Sequence, residues 1–253
     1  MSTEENFAKL EQEERDKTDE SLATMIALLS YLRSELESLL RNFYSMYGKD
    51  GVITYSETRK WISKSDHRRR LTVLITTINE QFDELLKALT PEFREMLLKV
   101  IKAESDFFRL PTDPEKILNE GWGTDSENWS DRLSNDVALW CAYILSDIKR
   151  AFVKCNTLDA TLTQISKRFN YIEHVLTTLG LSESTAVGSI ARRELFKELG
   201  ITKYQFYTKP DERRCETCGS MHGLVFPISA YEVGVTASPI HPRCRCWEVP
   251  IVD

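Results

Sequence analysis

The fold of this chain is decided by two short stretches, Cys215-Glu216-Thr217-Cys218 and His241-Pro242-Arg243-Cys244-Arg245-Cys246. Four of the six cysteines and two of the four histidines lie within the 32 residues that the stretches span. Zinc prefers thiolate and imidazole ligands, and a two-residue gap lets a tight turn aim both side chains at one ion about 2.3 Å away. The His-x2-Cys spacing repeats the Cys-x2-Cys spacing, and Pro242 helps to preset the second turn. Together they predict one metal site.

The two stretches offer five donors for four tetrahedral positions. If residues 245–249 form a strand, Cys244 and Cys246 point to opposite faces of it. The predicted zinc ligands are therefore Cys215, Cys218, His241 and Cys244, with Cys246 as a substitute for Cys244 or as a buried thiol. His222 is a sixth possibility, although a hydrogen-bonded loop histidine is expected there. Four protein ligands leave no open coordination position, so the zinc is expected to be structural.

The composition narrows the class of protein. The chain has 253 residues, 42% of them hydrophobic, and a formal net charge of −6. This acidic balance argues against a dedicated nucleic-acid binder. The N-terminus lacks the apolar stretch of a signal peptide, and the longest apolar run, 71–78, is too short to span a bilayer. We expect a soluble protein made in a reducing cytosol, where paired cysteines indicate metal more than disulfides.

The hydrophobic pattern predicts a mainly α fold, in which long helices form a helical body and a small zinc-stapled β module follows. We expect a charged N-terminal segment at 1–20 and an N-terminal helical domain at 21–110. A linker at 111–128 leads to a second helical block at 129–200. After Gly200 the period changes from helical to alternating, which predicts the β module at 201–253. Such a module buries too little apolar area to be stable alone.

Within the helical body, apolar residues at steps of three and four form a heptad seam. The seam consists of Leu22, Met25, Leu29, Leu32, Leu36, Leu39, Phe43 and Met46. It predicts a long helix that packs either within its own chain or as a coiled coil with a copy or partner. Further along, a helix break is expected at Thr90-Pro91, and separate helices are expected near 158–169 and 183–199.

The densest basic run of the sequence is Lys64-Ser-Asp-His-Arg-Arg-Arg70. Its cations Lys64, Arg68, Arg69 and Arg70 are candidates for contact with a phosphate backbone or with an acidic partner surface. A solvated helix start would explain the same residues.

The order of motifs in the C-terminal region resembles a known signature. It consists of Asp211-x3-Cys215-x2-Cys218, then His222-Gly223-x-Val225-Phe226, then the closing His241-Pro-x-Cys-Arg-Cys246. This order is similar to that of the phage Mu F-like minor head proteins, also called phage head morphogenesis proteins. The resemblance covers about 50 residues closely and about 110 with the preceding helices. His222 departs from the pattern because an acidic residue is expected before the glycine.

The resemblance implies a virion component. It implies a low-copy minor capsid protein of a tailed bacteriophage that is made in the host cytoplasm, binds the portal protein and lies in the capsid interior near packaged DNA. Scaffold or major capsid protein, and non-specific DNA, are further partners to consider. No membrane, small-molecule substrate or catalysis is expected.

Two other functions are consistent with the residues. One is a zinc-containing DNA-binding protein, against which the six basic and six acidic residues of 201–253 argue. The other is a metal-dependent nuclease or toxin-like enzyme. Against it, the sequence has no nucleophile elbow, phosphate loop or His-Glu-x-x-His pair.

Overall fold

The computed structural model describes residues 3–53 and 65–252. The helices are α1 (Thr3–Tyr47), α2 (Ser65–Phe108), α3 (Pro114–Leu118), α4 (Trp129–Val153), α5 (Leu158–Glu198) and α6 (Glu216–Met221). The strands are β1 (Lys203–Thr208), β2 (Val225–Pro227) and β3 (Cys246–Ile251), and a 3-10 turn covers Ile228–Ala230. The chain is mainly helical with a small C-terminal sheet of three strands, which confirms the predicted fold class at that level.

The chain divides into two compact units, each assembled from separated stretches. Unit 1 comprises Met1–Ala23, Pro91–Arg132 and Leu176–Asp253. Unit 2 comprises Thr24–Thr90 and Leu133–Val175. The five consecutive ranges expected from the sequence stay a prediction about the organisation of the chain.

The long helices contain fewer breaks than the sequence predicted. Helix α2 continues through Pro91, where the Thr90 hydroxyl donates to the Leu86 carbonyl at 2.7 Å. Proline removes one helical hydrogen bond without ending a helix whose other side chains are packed. Helix α5 likewise continues between the two segments expected at 158–169 and 183–199. A Cβ at Gly180 would lie 2.7 Å from Leu22 Cδ2, so this glycine permits close packing of α5 on α1.

The heptad seam of α1 is buried over most of its length. Leu22, Met25, Leu29, Leu32, Leu36 and Phe43 are at most 6% exposed. In its last turns the buried positions shift, because Leu40 and Tyr44 are buried while Met46 is 67% exposed. A straight helix has 3.6 residues per turn, so a strict seven-residue repeat drifts off the buried face.

The core of unit 1 contains a buried ion network around Arg192 of α5. This arginine pairs with Glu104 and, at 3.3 Å, with Glu248 of β3, and all three side chains are at most 2% exposed. Tyr231 donates to Glu248 at 3.0 Å. Burial, followed by the nearby carboxylate of Glu104, raises the pKa of Glu14 well above its usual range, although Arg192 opposes the shift. The network therefore ties α5 to the sheet.

The sheet has the order β2-β1-β3, and β1 is antiparallel to both neighbours. In β1, Tyr204, Phe206 and Thr208 are buried and the residues between them are not, as expected for a strand with one face on a core. Thr208 pairs with Cys246. The pairing places the start of β3 beside the end of β1.

Unit 2 has its own aromatic core. Phe43 stacks on Phe152 with ring centroids 5.6 Å apart, and the hydroxyl of Tyr44 lies 2.8 Å from that of Thr161. Within the described ranges 3–53 and 65–252, none of the helices combines the length and the apolar character needed to cross a bilayer.

Substitution of Arg192 tests the buried network. We expect Arg192→Leu to lower the free energy of unfolding by about 3–5 kcal/mol, because Glu104 and Glu248 would be left as unpaired buried carboxylates. Chemical denaturation measures the loss. Lys102→Ala is the control, since it removes an exposed pair with Asp106 on α2 and should leave the unfolding midpoint unchanged. Equal midpoints for both variants would contradict the role of the network.

Candidate metal centre

The first cysteine loop lies between β1 and β2. Cys215 is the N-cap of the short helix α6, with extended backbone (φ −75°, ψ 161°), and its sulfur accepts a hydrogen bond from the backbone N–H of Cys218 at 3.3 Å. An N-cap and the third helical residue lie on the same side of the first turn. The local fold therefore brings the two sulfurs together.

The second loop is a turn that immediately precedes β3. The N–H of Cys244 donates to the carbonyl of His241 at 3.1 Å, and Arg243 between them has a positive φ of 58°. His241 Nδ1 lies 2.8 Å from the carbonyl oxygen of Pro242. A carbonyl can only accept, so Nδ1 carries the proton and Nε2 presents its lone pair. Metal-binding histidines are oriented by hydrogen bonds of this kind.

The two loops meet through these donors. His241 Nε2 lies 3.2 Å from Cys215 Sγ and 3.1 Å from Cys218 Sγ. Cys218 Sγ lies 3.8 Å from Cys244 Sγ. Two sulfurs that are each about 2.3 Å from one tetrahedral ion lie about 3.8 Å apart. The spacing of the sulfurs therefore fits a shared ion.

Cys246 joins the same cluster, contrary to the expectation that it faces away from Cys244. The donors form two overlapping groups, Cys215–Cys218–His241 and Cys218–Cys244–Cys246, with all ligand atoms in a group within 4.8 Å of one another. Strand β3 begins only at Cys246, so the alternation of a strand does not extend back to Cys244. The structure brings all five predicted donors together, and these cysteine groups could hold a metal ion. Which four bind it stays a prediction.

The sulfurs share their protons unequally. Hydrogen bonds from the thiols of Cys218 and then Cys246 lower the pKa of Cys244 far below its usual range, although burial opposes the shift. The interaction with Cys244 raises the pKa of Cys218 and of Cys246. The N–H of Cys218 is the main cause of a lowered pKa at Cys215. Negative charge therefore collects on Cys215 and Cys244, one on each loop, which favours a cation between the loops.

Side chains outside the two motifs hold the second loop in place. The carbonyl of Cys244 accepts from Arg15 of α1 at 3.2 Å. The backbone N–H of Arg243 donates to the Ser182 hydroxyl of α5 at 3.1 Å, and its guanidinium donates to Thr178 at 2.8 Å. The sequence gave no local signal for these contacts. Arg15 lies in a charged segment, and only its distance from Cys244 in the folded chain shows its role.

The remaining candidates lie elsewhere. His222 accepts a hydrogen bond from the N–H of Thr208 at 3.2 Å through Nδ1, as a loop histidine would. Lys64 lies outside the described residues, and the side chain of Arg68 is not described. Arg69 and Arg70 are exposed on α2, and the guanidinium of Arg70 stacks over Tyr47 at 4.8 Å.

Comparison with known proteins identifies the family of this region. Residues 142–249 match the family model described as Phage Mu protein F like protein. The match confirms the resemblance to the phage Mu F-like head morphogenesis family, and it contains both metal loops. Comparisons with curated proteins and with solved structures gave no significant match.

Removal of one donor tests whether the cluster holds an ion that stabilises the fold. We expect Cys215→Ser to lose bound metal in elemental analysis and to lower the free energy of unfolding by about 2 kcal/mol or more. This corresponds to a fall in Tm of roughly 4–8 °C. Cys155→Ser is the matched control, because Cys155 is exposed and outside the cluster. Wild-type protein that is folded and free of metal would contradict the prediction.

Cobalt substitution tests which cysteine completes the set. We expect Cys246→Ser to keep the sulfur-to-cobalt charge-transfer absorption of the wild type, whereas Cys244→Ser should lower it by about one third, from three thiolates to two. Absorption spectroscopy of the cobalt-loaded variants measures the difference. The opposite pattern would make Cys246 the ligand.

Proposed function

We propose that this chain is a non-catalytic minor capsid protein of a tailed bacteriophage, which associates with the portal vertex and lies in the capsid interior near packaged DNA. The observation that carries the proposal is the family match over residues 142–249. The family is one of phage head morphogenesis. The matched region comprises most of α4, all of α5 and most of the sheet. The virion is the expected location.

We further propose that the donor cluster binds one structural zinc ion. Its sulfur-rich donor set suits zinc better than calcium or magnesium, which prefer oxygen. Bound zinc would join the two loops and add its binding free energy to the folding of unit 1. Cys215, Cys218, His241 and Cys244 would hold it, and the hydrogen bond from His241 Nδ1 to Pro242 keeps the imidazole in the required tautomer.

Burial supports a structural role for this ion. Cys218, Cys244 and Cys246 are at most 2% exposed, and Phe206 of β1 packs against all three. A catalytic zinc site keeps one position open to water or substrate. Here three sulfurs face the apolar core, so a substrate could approach only past Cys215 and His241.

The proposed partners follow from the family and from surface charge. The portal protein is the principal partner, with scaffold or major capsid protein as further contacts. Arg69 and Arg70 are exposed cations that could contact DNA backbone without reading its sequence. The acidic net charge of the chain limits such contact to a local one.

Particles from infected cells test this function. We expect mass spectrometry of purified capsids to find a few copies of the chain per particle, because a portal vertex is unique in each capsid. Particles assembled without portal protein should lack the chain, whereas particles that lack only the tail should keep it as the matched control. Equal amounts with and without portal would contradict the portal association. DNA binding that falls steeply with salt and requires Arg69 and Arg70 would favour a DNA-binding protein instead.

A further inference from the structure

One face of unit 2 carries an apolar groove between α1 and α2. The groove has two parts, of about 500 Å³ and about 290 Å³. On α1 its lining residues are Leu28, Tyr31, Leu32, Glu35, Leu39, Asn42, Phe43, Met46 and Tyr47. These positions recur at steps of three and four, and so share one side of the helix. The lining residues of α2 between 69 and 88 follow the same steps, so the two parts form one continuous face.

Exposed apolar side chains project from this face, which we call the α1–α2 face. Tyr31 is 68% exposed, Met46 is 67% exposed and Val73 is 58% exposed. Tyr31 and Met46 are fifteen residues apart on one helix, which separates them by about 22 Å. Large apolar side chains arranged along one groove mark a surface that binds another protein.

Charge divides the α1–α2 face into two ends. The end near Tyr31 carries Glu35, Glu80 and Glu84, and no lysine or arginine lines it. The end near Met46 carries Arg69 and Arg70, and no acidic side chain lines it. Glu84 also pairs with Lys87, but both side chains of that pair are at least 70% exposed and remain open to a stronger partner.

We propose that the α1–α2 face binds the same face of a second copy of this chain, with the two faces antiparallel about a two-fold axis. A two-fold axis brings each acidic end onto the basic end of the other copy, so both charged contacts are favourable. A parallel arrangement would oppose like charges at both ends. The face is therefore complementary to itself in one orientation.

An unsatisfied polar atom supports this arrangement. Oε1 of Gln81 is buried in the acidic end and has no hydrogen-bond partner among the residues that the structure describes. Buried acceptors in proteins are normally satisfied. The antiparallel arrangement brings Arg69 and Arg70 of the second copy, which are donors, to this end. The proposal goes beyond the family assignment because no residue of the α1–α2 face lies within 142–249.

Charge reversal and sedimentation velocity of the full chain test the proposal. We expect the wild type to form a reversible dimer between low micromolar and about 200 μM concentration. Glu80→Arg with Glu84→Arg makes both ends basic, and Arg69→Glu with Arg70→Glu makes both ends acidic. Each variant alone should dimerise at least about tenfold more weakly, because both contacts become repulsive. An equimolar mixture of the two should recover the dimer, since opposite charges then meet at both ends.

Two controls separate this result from loss of folding or of charge in general. Asp83→Arg changes an exposed α2 residue outside the groove and should leave the dimer unchanged. Circular dichroism melting should show that every variant folds, and recovery in the mixture excludes misfolding. A wild type that is monomeric throughout overturns the proposal, even if the groove binds a synthetic Leu/Lys helix. A dimer unaffected by either reversal, or a mixture that stays monomeric, also overturns it.

Discussion

The convergence of sulfur and imidazole donors from two loops is the constraint on which the C-terminal region depends. Without an ion, a buried group of thiols with uneven protonation is a poor core, because the negative charge on Cys244 has lost its hydration. The turns, the cap at Cys215 and the carbonyl partner of His241 all aim donors at one point. The small sheet is built around this point, with Phe206 beneath the sulfurs and β3 beginning at Cys246.

Patterns of short range predicted the fold class and brought the right donors to attention. The Cys-x2-Cys and His-x2-Cys gaps are local, and so is the alternation of Tyr204, Phe206 and Thr208. The sequence failed where distant packing decides the outcome. Thr90-Pro91 looks like a helix break, yet tertiary contacts carry α2 through it, and Gly180 serves the approach of Leu22. The faces of Cys244 and Cys246 were misjudged because the start of a strand is uncertain by a residue or two.

The contacts of the second loop show that the matched region does not fold in isolation. Arg15 of α1 lies far outside residues 142–249, but it donates to the carbonyl of Cys244. Arg192 of α5 needs Glu104 of α2 as well as Glu248 of β3. The region that the family model recognises therefore shares its core with helices that the model does not cover. Those helices can differ in sequence between relatives while they supply equivalent partners.

The position of Glu248 has a consequence for the birth of the protein. Unit 1 combines residues up to Ala23 with residues beyond Leu176, so its first helix leaves the ribosome long before the strand that completes it. Until Glu248 emerges, Arg192 lacks one of its carboxylates, and until Cys244 emerges, Arg15 has no carbonyl to bind. Unit 2 ends at Val175 and can become compact earlier during synthesis. Maturation of unit 1 is therefore a post-translational event, and in the host cell it is the step most exposed to proteases and chaperones.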